Sequence, residues 1–311
     1  MQRGILIATP DPVKSEAPLI SIIMPAYNCV EYISQAINSV QAQTYENWEL
    51  LVVDNMSTDG TTEIVKSYDD SRIKLSNIRN QGIIARSRNQ ALKQCVGEWL
   101  SFLDADDYWD NRKLQRCLDE ALLGFDVVYH PMTILRSKPQ IYSRKRTKCW
   151  QVKSPVFTEF LTRGNPIVNS SVFLRSAVLM KAGLIAEDTD LVTAEDFNTW
   201  ISVSALTNKF RFLNSCLGTY RIHQSNASES VDRTIPLGQV INRYIKLLSP
   251  RDQDKAMALL AYLRGKSEYE KRNYREAIRE FRNAFLDVHA SMKVPCAFFY
   301  MGSLAKSLAA L

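Results

Sequence analysis

Three short apolar runs, at residues 19–24, 50–53 and 99–103, alternate with segments whose apolar residues recur at helical spacing. That alternation restricts this chain more than any other feature it carries. A strand that is apolar without interruption has to be covered on both faces, as in a parallel sheet wrapped by helices. Residues 30–42 place Ile33, Ile37 and Val40 on one helical face, 62–68 and 84–94 read as further helices, and 72–75 as a short strand. Strand, helix, strand, helix, strand predicts an α/β domain with a mostly parallel central sheet flanked by helices. In such sheets ligands sit beyond the carboxyl ends of the strands. Asp54 and Asp104 each stand immediately after a strand, facing that crevice.

Beyond a strand at 127–130 the pattern loosens through a basic stretch. It resumes with a strand at 168–174, helices at 176–182 and 197–206, and strands at 210–213 and 217–222. Residues 226–238 are polar and read as a linker. The chain is helical from there on. Gly265, Asn273-Tyr274, Ala277, Phe281 and Ala284 resemble one tetratricopeptide helix-turn-helix unit. A single unit cannot bury its own apolar face, so it is expected to pack on the preceding domain or on a partner. The expected organisation is an N-terminal extension, 1–18, an α/β domain, 19–235, and a C-terminal helical extension, 236–311.

Composition narrows the function classes. Of 311 residues, 46% are hydrophobic and 23% charged, which suits a soluble globular protein with a sizeable core. No apolar run reaches the 18 or so residues that span a bilayer. The apolar patch at 4–8 is too short for a signal-peptide core, so a cytoplasmic protein is expected. Six scattered cysteines show neither a metal-ligand spacing nor a disulfide framework. The net charge of +6 is concentrated between residues 131 and 164, where Arg136, Lys138, Arg144, Lys145, Arg146, Lys148, Lys153 and Arg163 face Glu159 alone. Such a patch is either a solvated loop or a surface for an anionic membrane or a phosphorylated acceptor. No nucleic-acid module accompanies it, so no nucleic-acid partner is expected.

The strongest chemical signal is Phe102-Leu103-Asp104-Ala105-Asp106-Asp107. A strand that delivers three carboxylates within four residues is costly unless a cation binds there. Carboxylate oxygens suit Mg²⁺ or Mn²⁺, which also accept phosphate oxygens and can neutralise a departing diphosphate. An acidic helix start capped by Asp107 or Asp110 is the plainer alternative. Val53-Asp54-Asn55-Met56-Ser57-Thr58-Asp59-Gly60 reads in isolation as ordinary turn chemistry. Glu195-Asp196 opens a helix, where the dipole stabilises negative charge and a carboxylate could take a proton from a hydroxyl.

Taken as an ordered set, these motifs resemble family 2 of the glycosyltransferases, inverting enzymes with a Rossmann-like (GT-A) nucleotide-sugar domain. Ser21-Ile22-Ile23-Met24-Pro25-Ala26-Tyr27-Asn28 resembles the family's first strand. Gln43-Thr44-Tyr45, the Asp54–Thr61 turn, Gly97-Glu98-Trp99, the aspartate motif, Glu195-Asp196 and Tyr220-Arg221-Ile222-His223 follow in order, over roughly residues 19–228. The resemblance implies that Pro25, Tyr27 and Asn28 line the nucleotide pocket, with Asp54 on the base and Ser57 beside it. It places Asp104 and Ala105 at the ribose or donor sugar, Arg88 at phosphate, Asp106 and His223 at the metal, and Asp196 as the base for an acceptor hydroxyl. Met56 stands where the family usually has glycine, and one extra residue separates Gly82 from Arg88.

The reaction so implied is a single displacement with inversion, in cell-surface polysaccharide or glycolipid assembly, with a UDP-linked donor as the family default. A carbohydrate or lipid-linked acceptor is expected, with residues 136–153 or the C-terminal helices offering contact with the inner face of the membrane. The segment 296–311 reads first as closure of the helical tail, with a homodimer contact or a helix lying on a membrane as the alternatives. Two rivals stand beside the transferase. One is a non-catalytic nucleotide-sugar-binding module with a partner-docking tail. The other is a nucleotidyltransferase, which would need a Gly, Lys or Arg in residues 25–30, where there is none.

Overall fold

The computed structural model describes residues 17–136, 145–223 and 232–308. Its central sheet has seven strands in the order β3-β2-β1-β4-β8-β6-β9. These are β1 (Ile20–Ala26), β2 (Trp48–Asp54), β3 (Ile73–Asn77), β4 (Trp99–Phe102), β6 (Val127–Tyr129), β8 (Phe173–Arg175) and β9 (Phe210–Phe212). The first four are mutually parallel, and β8 runs antiparallel to both β4 and β6. Every residue of β1 and β2 is buried, which is why these strands read as apolar-rich runs, and the polar Ser21 and Glu49 within them are hydrogen-bonded to each other.

Alternation along each strand divides the core in two. Ile20, Ile22 and Met24 of β1 and Leu50 and Val52 of β2 pack with α1 (Ile33–Gln41), α2 (Thr61–Lys66) and α4 (Lys113–Leu122). Ile23, Leu51 and Val53 face the other way, toward α3 (Ile84–Leu92), α5 (Val156–Arg163), α6 (Ser176–Ala182) and α7 (Glu195–Ser204). The register pairs Ala26 with Asp54 and Ile23 with Phe102, so three strands end at one edge and release residues 27, 55 and 103 there.

A second sheet, β5 (Tyr108–Trp109), β10 (Gly218–Ile222) and β7 (Thr133–Arg136), lies next to that edge. Antiparallel pairing of β10 with β5 carries Arg221 and His223 back beside the aspartates that precede β5. The strand expected over 168–174 is shorter. Asn169–Ser171 forms a 3₁₀ turn and only Phe173–Arg175 is extended. The turn arises because Ser170 is drawn to the aspartate loop: its hydroxyl accepts from Asp104 N–H at 3.1 Å and its carbonyl from the Trp109 indole at 2.7 Å.

The C-terminal segment forms α8 (Thr234–Tyr244), α9 (Pro250–Glu270), α10 (Tyr274–Ala284) and α11 (Ala290–Leu308). Residues 234–238, expected in a linker, are instead the opening turns of α8, where Pro236 needs no backbone donor. Residues 226–231 of that stretch, 1–16 of the N-terminal extension and 137–144 of the basic stretch lie outside the described residues. Helices α9 and α10 form the expected helix-turn-helix. Ala277, Phe281 and Ala284 are wholly buried, and they join the core that holds Phe160, Phe197 and Trp200 of the α/β domain.

Candidate functional site

Four loops and two helix starts converge at the carboxyl edge of the parallel strands. At the first, β2 ends in Asp54, which is 1% exposed. Its carboxylate accepts from Ser57 N–H at 3.0 Å, Thr62 hydroxyl at 2.9 Å and the Ser57 hydroxyl. Ser57 in turn accepts from Asn28 N–H at 2.9 Å, and Asn28 Oδ1 accepts from Thr58 N–H at 2.9 Å. Asp54 is therefore the anchor of a turn that joins the ends of β1 and β2, and a base reaching it would compete with Ser57 and Thr62. Tyr27, 60% exposed, stands at the rim of this turn, while Pro25 is buried within β1. Met56 has φ of 56°, the left-handed region that glycine occupies freely, so this turn holds a bulky side chain in a strained conformation.

At the second loop, β4 releases Asp104, Ala105, Asp106 and Asp107. Asp104 stays partly exposed, and its Oδ1 accepts from Arg88 at 2.8 Å and Asn169 at 3.3 Å. Ala105 is buried and spaces the two acids. Asp106 Oδ2 lies 2.9 Å from His223 Nε2, and the His223 ring lies 4.8 Å from that of Tyr32. Burial raises the Asp106 carboxyl above its ordinary range, with Asp104 acting the same way and His223 opposing it. Asp107 is pushed up strongly by burial and by Asp106 and Asp104. Its Oδ1 accepts from Arg221 N–H at 2.9 Å, and its buried Oδ2 has no hydrogen-bond partner among the described residues.

Arg88 ties this loop to the third. Almost fully buried on α3, it donates to Asp104 on one side and to Glu195 Oε1, also at 2.8 Å, on the other. The turn at Gln81-Gly82, with φ of 55° and 79°, accommodates the extra residue and still delivers Arg88 to the crevice. Glu195 and Asp196 occupy the first turn of α7. Burial and the neighbouring Glu195 raise the Asp196 carboxyl to about 6, against the pull of Arg233 and Arg88. Asp196 Oδ2 accepts from Asn165 at 3.3 Å, and Oδ1 from Phe197 N–H at 2.7 Å.

The candidate site residues thus lie at or beside this edge, most of them in two linked groups, the Asn28–Asp54–Ser57 turn and the chain His223–Asp106–Asp104–Arg88–Glu195–Asp196, with Pro25, Tyr27 and Ala105 adjacent in the chain. Sequence reasoning missed Asn165, Asn169 and Ser170, and quoted Arg221 within the closing-strand motif without giving it a role. Of these, Asn165 had a local signal, because Gly164-Asn165-Pro166 marks a turn at the end of α5. It also missed Lys113, wholly buried at the start of α4 with its ammonium 3.9 Å from the Trp109 ring centroid. Burial lowers that ammonium to about 8.

Among the described residues, no three His, Cys, Asp or Glu side chains converge as a complete metal site. The donor set nevertheless fits a divalent ion that keeps open positions. Asp106 and His223 offer two ligands, and the unpartnered Asp107 oxygen and raised carboxyls mark an excess of negative charge. Magnesium-type sites commonly use one or two protein ligands with substrate phosphates and water.

The family model described as Glycosyl transferase family 2 matches residues 21–180. The UDP-Glc:alpha-D-GlcNAc-diphosphoundecaprenol beta-1,3-glucosyltransferase WfgD of Escherichia coli is 33% identical over 215 residues, 68% of this chain and 80% of that protein. Among solved structures, Staphylococcus aureus TarS 1-349 in complex with UDP-GlcNAc superposes with a TM-score of 0.66 at 20% identity, covering 92% of this chain and 88% of the other. The mannosyltransferase PcManGT of Pyrobaculum calidifontis, in complex with GDP-Man and Mn²⁺, gives 0.54 at 16% identity, covering 94% and 88%. Both share the fold.

Proposed function

The chain belongs to glycosyltransferase family 2, and on that premise we propose that it moves a sugar from a UDP-linked donor to a hydroxyl of a carbohydrate or lipid-linked acceptor, with inversion, in cell-surface polysaccharide or glycolipid assembly. What carries the reading is the Arg88 bridge. By gripping Asp104 and Glu195 at 2.8 Å each, it holds the end of β4 and the start of α7 in a fixed relation across one crevice.

In this reading Tyr27, Asn28 and the Asp54–Ser57 turn receive the nucleotide, and Asp104 orients the ribose or donor sugar. Asp106 and His223 would hold a divalent ion, which neutralises charge on the departing diphosphate when bound. Asp196, raised to about 6, is ionised at neutral pH and still basic enough to take the acceptor proton. Asn165 fixes the orientation of that carboxylate. The acceptor oxygen then bonds to the anomeric carbon as the bond to the diphosphate breaks on the opposite face. The proton ends on Asp196 and the electron pair on the nucleotide diphosphate. One displacement inverts the configuration, so no second carboxylate of the retaining-glycosidase kind is needed.

The acceptor name of WfgD favours a lipid-diphosphate sugar, and the UDP-GlcNAc complex of TarS favours uridine. The test is release of free nucleotide diphosphate from UDP-, dTDP- and GDP-sugars with Mn²⁺ or EDTA, since slow donor hydrolysis needs no acceptor. Metal-dependent release from UDP-sugars is expected, falling by at least about 10²-fold in Asp106→Ala. Binding without release, with or without the Asp106 side chain, would favour the binding-module reading instead.

A further inference from the structure

We propose that the outward face of α11 is a docking surface for an anionic lipid bilayer. Helix α11 is apolar on two opposite sides. Met292, Cys296 and Ser303 are buried against the rest of the molecule. On the opposite side Val294 (79% exposed), Phe298 (71%), Met301 (62%) and Leu308 (71%) form a stripe with Ala305 between the last two. Leu286, 78% exposed, lies just before the helix. A helix that is apolar all round is ordinarily covered all round, so this stripe calls for an occupant.

Charge selects the occupant. Helix α11 contains no acidic residue, and Lys293 and Lys306 flank the stripe on its two sides. At its N-terminal end, Lys153, Arg163 and Lys255 bear electrostatically on His289, the residue preceding α11, against Glu159 alone; Arg163 is paired with Glu159 and Lys255 with Asp252, each at 2.7 Å. The C-terminal segment 236–311 as a whole carries thirteen Lys and Arg against seven Asp and Glu. An apolar stripe bordered by cations is what a helix lying in an anionic headgroup layer presents. A second copy is the poorer fit. The 4-3-4-3 spacing from Val294 to Leu308 covers only two heptads, where a coiled coil needs about three or four. Self-pairing would also bring lysines together with no acid on the helix to meet them. The inference goes beyond the transferase reading and does not depend on it.

The experiment is co-sedimentation of the full chain with vesicles of phosphatidylcholine alone or with about one-third phosphatidylglycerol. Donor hydrolysis and thermal melts serve as controls for folding, and sedimentation velocity reports the oligomeric state. Binding is expected to the anionic vesicles only, and to weaken at high salt. Phe298→Ser with Met301→Ser should weaken it at least about tenfold. Lys153→Gln with Lys293→Gln should weaken it severalfold, with melts and hydrolysis unchanged in both. Absence of binding by the wild type, or equal binding by a well-folded Phe298→Ser/Met301→Ser variant, would overturn the proposal. So would a wild-type dimer that this variant converts to monomer, because the face would then belong to a second copy.

Discussion

At the scale of single residues, the site holds negative charge at a cost in stability. Asp196 is the clearest case. Its folded value of about 6 lies above the roughly 4 of an unfolded aspartate, so the folded state binds its proton more tightly. The sign follows from linkage: this group favours the folded state below about pH 4, and that advantage is lost as pH rises through about 6. At neutral pH the ionised carboxylate therefore costs on the order of 3 kcal/mol relative to a group that does not titrate. Asp196→Asn keeps the shape and the acceptor for Phe197 N–H. It should raise stability at pH 7.5 by up to about 3 kcal/mol, and flatten the pH dependence of stability between about 4 and 6. Transfer should fall at least about 10²-fold, and wild-type turnover should climb as pH passes about 6. Denaturant titrations and a pH–rate profile check both halves. A variant that turns over normally with an unchanged profile would remove Asp196 from the role of base.

Elements show why some of this was legible in the chain and some was not. Strands β1, β2 and β4 announced themselves because burial on both faces leaves a local mark, a short apolar-rich run. The carboxylates that follow them were legible for the same reason, since the crevice begins where such a run ends. Strands β5 and β7 left no such mark. They are two and four residues long and form by pairing with β10, with β7 also bridged to Arg146. The Ser170 and Arg221 contacts depend on that pairing and on the 3₁₀ turn, so they are tertiary facts without a sequence period. The Asp54 anchor shows a milder limit: its place beside the nucleotide turn was readable, but its engagement by Ser57 and Thr62 was not. Helix pair α9–α10 was readable through Gly265. A β-carbon there would stand 2.9 Å from the Phe281 ring, which is itself stacked on Phe299 at 5.9 Å and 14°. Gly265→Ala would gain about 1 kcal/mol in helix propensity but force apart two packed helices, at roughly 1–3 kcal/mol. A net loss of stability is expected, and Phe281→Leu in the same chain should recover part of it in a double-mutant cycle. An alanine variant more stable than wild type would mean that the ring yields easily.

For the molecule as a whole, the C-terminal helices belong to the same folding unit as the site. Val240, Ile241, Leu259, Leu260 and Phe281 share one core with Phe160, Phe197 and Trp200. Tyr244 at the end of α8 donates to Asn198 at 3.0 Å, lies 2.9 Å from the Ser202 hydroxyl, and packs edge-on against Phe157. Asn198 and Ser202 lie on α7, two and six residues after Asp196, so the tail braces the helix that presents the base. Arg233, just before α8, donates to Thr193 O at 3.0 Å and pulls the Asp196 carboxyl down from the other side. Removing this layer would expose several large apolar side chains, each worth about 1.5–3 kcal/mol when buried. Together they are comparable to the roughly 5–15 kcal/mol that keeps a typical domain folded. Calorimetry of the full chain should therefore show one transition, with calorimetric and van't Hoff enthalpies equal. A chain ending at residue 235 should neither melt cooperatively nor release nucleotide from a donor. Two separate transitions, together with a truncated chain that still hydrolyses its donor, would instead make the tail an autonomous module. The brace on α7 would then have no part in holding Asp196.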